Sequence, residues 1–375
     1  ILALIASPNY DPKLLVGRQR SKNYQQLAEL PGDPFFDRVL IGEYSPGSPF
    51  KILTGLIGLQ EEVIDTHTSF PCSHGFYYAR GAFMKCHDAG SWNLHPAIAK
   101  SCNTYFAQTY KRIIDKYKNP KLGMDAWYNH LRSFGLGQFL GYDLPIGRKG
   151  QIPNSEYYDR WYPKGGWKGT TTISNAIGQG EITVTPIQLA NVMCAVANQG
   201  YYYTPHIIKS IQDDKIDKNF VEKKTTTIDK QHFFPVIEGL AEVYKSGTAS
   251  RLQIPDINIC GKTGTVENFI KVDGQKKQLK DHSVFLAFAP KEDPKIVIAV
   301  FIENGGFGAT IAGPIASLMI EKYLKGIITR TDLEKRLLDS TLESEYILKD
   351  QVEAEKRAKA KLEAELKAKQ KRING

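Results

Sequence analysis

Three short runs rich in β-branched and aromatic residues fall late in the chain, Ile257 to Gly261, Ser283 to Ala289 and Ile296 to Ile302, bounded by Gly, Pro or Asp. Runs of this length and composition read as strands. A further strand is expected at the start, Ile1 to Ala6. Between them lie helical patterns. From Pro49 to Val63 the apolar residues Phe50, Leu53, Leu56, Ile57 and Val63 recur near helical spacing, with Ser48 at the helix start. Pro49 is acceptable there because its missing N–H would be unpaired in any case. Ala97 to Tyr117 and Thr185 to Asn198 repeat the pattern, the latter opened by Pro186 and closed before Gly200. Helices early and strands late, with one strand at the front, predict an α/β or α+β domain whose sheet joins the two chain ends.

The remaining segments are less regular. Ser7 to Asp37 and Gly135 to Gly169 are punctuated by Pro and Gly, and Asp65 to His95 is expected to be a long structured loop. After about Thr331 the composition turns to Glu, Lys, Ala and Leu, so residues 1–330 are expected to form the domain and 331–375 a charged, solvated helical tail. The formal charge is +9, which favours anionic surroundings without choosing among them. No apolar run reaches the length of about 18 residues that a membrane span needs. The sequence opens at Ile1 with no signal peptide, so N-terminal sequence, and an anchor with it, is expected to have been cut away.

Ser48-Pro49-Phe50-Lys51 places a hydroxyl and an amine on one helix face about one turn apart. An alcohol becomes a nucleophile only when a base takes its proton, and lysine can do so once burial or nearby positive charge lowers its pKa. The free N–H groups of the helix start favour negative charge on an attacked carbonyl oxygen. Alone, such a spacing is commonplace. Ser101-Cys102-Asn103 follows at the start of the next helical pattern, however, and Lys262-Thr263-Gly264-Thr265 follows the Ile257 to Gly261 strand. S-x-x-K, S-x-N and K-T-G in this order are the signature of active-site serine β-lactamases and penicillin-binding proteins.

The likeness extends from Ile1 to about Leu324. Tyr44-Ser45-Pro46-Gly47-Ser48 resembles the run before the nucleophile in class B penicillin-binding proteins. Gly178-Gln179-Gly180 with Thr185 to Ala190, Asp281-His282 through Ala289-Pro290, and Glu303-Asn304-Gly305-Gly306 resemble further landmarks of that group. Ser7-Pro8-Asn9-Tyr10-Asp11-Pro12 is most similar to the elongation type. The resemblance departs at Pro49, where a small residue is more usual. It implies a penicillin-binding protein/β-lactamase-like transpeptidase fold, an antiparallel sheet flanked by helices with a helical subdomain, and a D,D-transpeptidase acting on peptidoglycan stem peptides in the bacterial cell envelope, inhibited by β-lactams. By the same resemblance Ser48 is the nucleophile, Lys51 its base, Ser101 a proton relay helped by Lys262, and Asn103 an orienting group. Thr263, Gly264 and Thr265 line the substrate, and the Ser48 and Thr265 N–H groups form an oxyanion hole. A glycan polymerase of the SEDS type and elongation-complex proteins are the implied partners.

Cys72, His74, Cys86 and His87 offer two Cys and two His between the first two motifs, a set that structural zinc accepts. A Cys72–Cys86 disulfide and buried free thiols are the competing readings. No cofactor is required by the implied chemistry. A serine β-lactamase, a D,D-carboxypeptidase and a β-lactam sensor domain are the rival readings. No basic recognition element supports nucleic acid as a partner.

Overall fold

The computed structural model describes residues 1–162, 166–212 and 214–373, so the last two positions of the expected tail lie outside the described residues. The helices in chain order are α1 (Arg20–Ala28), α2 (Lys51–Gln60), α3 (Leu94–Ala99), α4 (Asn103–Asp115), α5 (Pro120–Ser133), α6 (Ser155–Trp161), α7 (Pro186–Ala197), α8 (Lys218–Val221), α9 (Phe233–Lys245), α10 (Ala312–Lys325), α11 (Thr331–Leu338) and α12 (Glu343–Ile373). The strands are β1 (Phe70–Ala79), β2 (Ala82–Trp92), β3 (Tyr201–Tyr202), β4 (Lys224–Thr225), β5 (Cys260–Val266), β6 (Phe269–Val272), β7 (Gln275–Gln278), β8 (His282–Ala289) and β9 (Ile296–Ile302).

The main sheet is antiparallel in the order β5-β8-β9, with Lys262 opposite Leu286 and Ser283 opposite Ile302. Strand β8 is buried along nearly its whole length, as a central strand covered on both faces must be. Helices α7 and α10 pack on β8 and β9, and α9 packs on β5. Helix α2 runs through the middle of the molecule with Leu56 and Ile57 wholly enclosed. No helix among the described residues is long and apolar enough to cross a membrane.

Four expectations need correction. Ile1 to Ala6 is not a strand, so the sheet does not join the chain ends; Leu4 packs beside Leu40, Leu140 and Ile187, and the α-amino group donates to the His206 carbonyl at 2.6 Å. The third motif does not follow its strand but lies inside it, because β5 begins only at Cys260. The expected loop Asp65 to His95 contains the hairpin β1–β2, turned at Arg80-Gly81 and with most of one face in solvent, which is why it carries no continuous apolar run. The helix expected from Ala97 to Tyr117 starts at Leu94 and breaks at Lys100 to Cys102.

That break is a Schellman turn. Cys102 N–H donates to the Ala97 carbonyl and Ser101 N–H to that of Ile98, with Ser101 in the left-handed region at φ 58°. Glycine is the usual occupant of such a position, and a side chain there costs roughly 1 to 2 kcal/mol. Helix α4 then restarts with the Cys102 sulfur accepting from Tyr105 N–H. At α7 the expected start is a full capping box between Thr185 and Gln188.

Candidate active site

Gly47, at φ 61°, turns the chain into a single 3-10 turn over Ser48–Phe50, from which α2 continues. Its N–H donates to the Gly178 carbonyl at 2.9 Å. A Cβ at Gly178 would lie 2.5 Å from the Gly47 carbonyl oxygen and equally close to Phe50 Cβ, so this glycine permits the close seating of the Ser48 turn. On the other side the turn abuts β5: a Cβ at Gly264 would lie 2.5 Å from Pro49 Cδ. The first and third motifs are thus in direct contact.

Lys51, 1% exposed, has four oxygens within hydrogen-bond distance of Nζ: Ser48 Oγ at 3.1 Å, Ser101 Oγ at 3.0 Å, the Ser101 carbonyl at 2.7 Å and Asn103 Oδ1 at 2.6 Å. Asn103 is held in this orientation because its Nδ2 donates to the Lys85 carbonyl of β2 at 2.8 Å. The two shortest contacts go to a carbonyl and an amide oxygen, which can only accept. In the neutral amine these two hold its two protons, and the lone pair is left facing the Ser48 and Ser101 hydroxyls. Burial pushes Lys51 down to about 8, while any negative charge on Cys86 and Cys102 pulls it back up. Lys262 is fully buried on β5, and burial, then the charge of Lys51, lowers it well below the ordinary lysine range. Its Nζ donates to the Thr263 carbonyl at 3.2 Å, and the Thr263 hydroxyl shares a hydrogen bond of 2.6 Å with Thr248. Because β5 is the edge of its sheet, the side turned toward the Ser48 helix start has no strand partner among the described residues.

The left-handed backbone at Ser101 is what puts both its carbonyl and its hydroxyl on Lys51. Ser101→Gly removes the strain and the hydroxyl together. Its stability is expected within about 1 kcal/mol of wild type, because relief of the left-handed strain offsets the lost hydrogen bond and the entropy of glycine. The resemblance casts the Ser101 hydroxyl as a proton relay, and on that expectation acylation by benzylpenicillin falls on the order of a hundredfold in this variant. Thermal unfolding and stopped-flow acylation measure the two separately; a Ser101→Gly chain that acylates at the wild-type rate refutes the relay.

The expected zinc set is only half assembled. Cys72 and Cys86 come together, but their third companion is Cys102, and the three sulfurs lie within 4.8 Å of one another. His87 follows Cys86 in a strand and therefore faces the opposite side, in solvent. His74 shares strand parity with Cys72, but the bulge between Ser73 and Gly75 and its own φ of 55° turn it outward, where Nδ1 sits 3.2 Å from the His87 carbonyl. The cysteines are free thiols, without a disulfide. Cys72 Sγ also lies 3.1 Å from both the Asp88 carbonyl and Thr104 Oγ1, and the Cys86 and Cys102 sulfurs lie 3.6 Å apart, a mutual contact that draws Cys86 toward thiolate and favours the protonated form of Cys102. Three converging sulfurs, one already favoured as thiolate, suit a soft ion such as zinc. The sequence signal that could have found Cys102 is its position within the second motif, which the helix break brings back onto the β1–β2 hairpin.

Residues 1–321 match the family described as the penicillin binding protein transpeptidase domain. Peptidoglycan D,D-transpeptidase MrdA of Acinetobacter baumannii is 32% identical over 83% of this chain and 47% of its own length. The chain spans about half the length of the curated relatives of this name that it matches. Among solved structures, penicillin-binding protein 2 (PBP2) of Pseudomonas aeruginosa in complex with WCK 5153 superposes with a TM-score of 0.73 at 28% identity, covering 85% of this chain and 70% of that one. The imipenem acyl-enzyme of penicillin-binding protein A from Mycobacterium tuberculosis gives 0.67 at 25% identity, over 86% and 70%. A complex of PBP2 with MreC from Helicobacter pylori gives 0.70 at 25% identity, over 86% and 57%.

Proposed function

Since the chain belongs to the penicillin-binding protein transpeptidase domain family, we propose that it is a serine D,D-transpeptidase that cross-links peptidoglycan stem peptides, working at the outer face of the cytoplasmic membrane. The observation that carries this reading is the placement of one buried, pKa-lowered amine, Lys51, within reach of the hydroxyls of both Ser48 and Ser101. Neutral Lys51 takes the Ser48 proton as Oγ attacks the carbonyl of the penultimate D-Ala. The N–H groups of Ser48 and Thr265 stabilise the oxyanion, and the loss of one such donor costs on the order of a hundredfold or more. The peptide C–N bond then breaks, and Ser101 hands its proton to the departing D-Ala amine while taking up the one held by Lys51, which leaves Lys51 neutral again. Lys262 with Thr263 and Thr265 holds the terminal carboxylate, whose charge favours a protonated Lys262. An acceptor amine from a second stem peptide attacks the ester, forms the new amide and returns the proton to Ser48 through Lys51. β-Lactams acylate the same oxygen.

The test is intact mass after benzylpenicillin, followed by peptide mapping. One adduct per chain on the peptide containing Ser48, lasting minutes, is the expected result. Rapid turnover of free penicillin would instead mark a β-lactamase, and an adduct elsewhere would remove Ser48 from the mechanism.

Cys72, Cys86 and Cys102 are the residues that would hold a structural zinc here. Bound there, the ion would brace the turn that carries Ser101 and Asn103. Purified protein is expected to contain about one zinc per chain, lost in Cys86→Ser, by elemental analysis; metal-free protein with fully reactive thiols contradicts this. The H. pylori complex with MreC supports elongation-complex proteins as partners of this chain too.

A further inference from the structure

The hairpin β6–β7 interrupts the sheet between β5, which carries the third motif, and β8. Hairpins of two strands are marginal in water unless something covers an apolar face. The buried residues of this one, Val272 and Leu279, belong to a small cluster separate from the main core, and the cluster is completed by Val352 of α12, 7% exposed. Around that contact Lys277 pairs with Glu355, Lys359 with Asp273, and Lys280 with Glu345 at 3.4 Å. Nearly two turns nearer its start, α12 places the Tyr346 hydroxyl 3.4 Å from Glu303, which also accepts from Tyr44 at 2.9 Å and Arg38 at 3.1 Å. Against the upward push of burial, Arg38 and then Lys349 of α12 hold the Glu303 carboxyl below its ordinary range. Helix α12, which lies in the tail expected to be solvated, is therefore docked over about its first four turns.

What it holds faces the active site. A groove of about 390 Å³ beside Thr265 is walled on one side by Leu279, Lys280 and Asp281 from the end of the hairpin and on the other by Gly306 and Phe307. The two walls are tied together by Asn268 Nδ2 donating to Asn304 Oδ1 at 2.6 Å and by Gly306 N–H donating to the Asp281 carbonyl at 2.7 Å. Half-exposed ion pairs contribute little, so the apolar contact of Val352 is the part of the docking that matters. We propose that the first half of α12 is a positioning element for the reaction: it braces the β6–β7 hairpin and so fixes the wall of the groove along which the donor chain runs past Thr265. This rests on the transpeptidase reading above.

The test uses the full chain with Val352→Asp and, as conservative control, Val352→Ile. Hydrogen exchange over residues 269–279 is measured together with acylation by benzylpenicillin and by 6-aminopenicillanic acid, which lacks the side chain that would extend into the groove. The expected result is faster exchange in the hairpin and acylation by benzylpenicillin slowed about tenfold or more, the scale of effect that small misplacements produce. The small probe should stay within about twofold because its contacts end at the Ser48 site. Val352→Ile should match wild type. Equal losses with both probes would indicate general destabilisation and overturn the proposal, as would a loosened hairpin with unchanged acylation or a hairpin that does not loosen. If the wild-type chain takes up neither probe, the transpeptidase reading fails instead, and hairpin exchange in Val352→Asp alone decides whether α12 is a brace.

Discussion

Lys51→Met is expected to lower the rate of Ser48 acylation by about 10³ to 10⁴, the upper range for loss of a positioned general base, while leaving the fold intact. Methionine keeps the length of the stem and fills the same buried space, so α2 should not collapse there. The Ser101 carbonyl and Asn103 Oδ1 lose their donor, at a cost of about 1 to 3 kcal/mol per unsatisfied buried group, partly offset because a charge no longer has to be buried. The wild-type profile against pH should carry the same signature. With Lys51 at about 8 and the neutral amine as the base, acylation climbs with pH and levels off above that value. Stability follows the same group with a definite sign. Its pKa is lower folded than the unfolded value of 10.5, so the unfolded chain binds more protons between the two, and the penalty of burying the ammonium is full below about 8 and relieved as pH rises toward 10.5. Stopped-flow acylation from pH 6 to 10 measures the first effect. A flat profile, or a Lys51→Met chain of wild-type rate, refutes the assignment of the base.

The three motifs were legible because each is a short run of polar residues in a context that repeats chemistry rather than packing. Their convergence was not. Cys260 to Val266 contains a lysine, two glycines and two threonines, so no hydropathy pattern marks it as a buried strand, and only the apolar residues just before it suggested one. Lys262 is enclosed by tertiary contacts that come from elsewhere in the chain. Ser101 shows the reverse: helical spacing on both sides of it predicted continuity, and a left-handed residue that would ordinarily be glycine breaks the helix where the site needs the hydroxyl. The metal set went wrong through secondary structure. Adjacent Cys86 and His87 look like a pair in a loop but point apart once the segment is a strand, and Cys102 reaches the same pocket from the following helix. The tail holds two helices, α11 and α12. Val352 alone, among a run of charged residues, offered no sign that it completes a cluster with Val272 and Leu279.

Gly264→Ala is expected to leave the chain folded and to reduce acylation by about a hundredfold, the cost of a displacement near 1 Å at a catalytic centre. The glycine of the third motif has no unusual φ to explain it; its reason is contact. An added Cβ would meet Pro49 Cδ at 2.5 Å and Val284 Cβ at 3.2 Å. The pyrrolidine ring cannot rotate away as a flexible chain would, because proline fixes its own backbone. Relief must come from movement of β5 or of the Ser48 turn. The turn is held from the other side by Gly178, and β5 by its pairing with β8 and by Gly308, where a Cβ would itself lie 2.5 Å from the Gly264 carbonyl oxygen. The clash therefore separates the strand bearing Lys262 and Thr265 from the helix start bearing Ser48, opening the space between Ser48 and Thr265. Pro49→Ala, by contrast, removes the obstructing ring, so the double variant Gly264→Ala/Pro49→Ala should recover part of the lost rate. Acylation rates of the two single variants and the double variant give the coupling directly. Additive losses would mean that the two residues do not meet, and with that the close seating of the first and third motifs would be lost as the basis of the site.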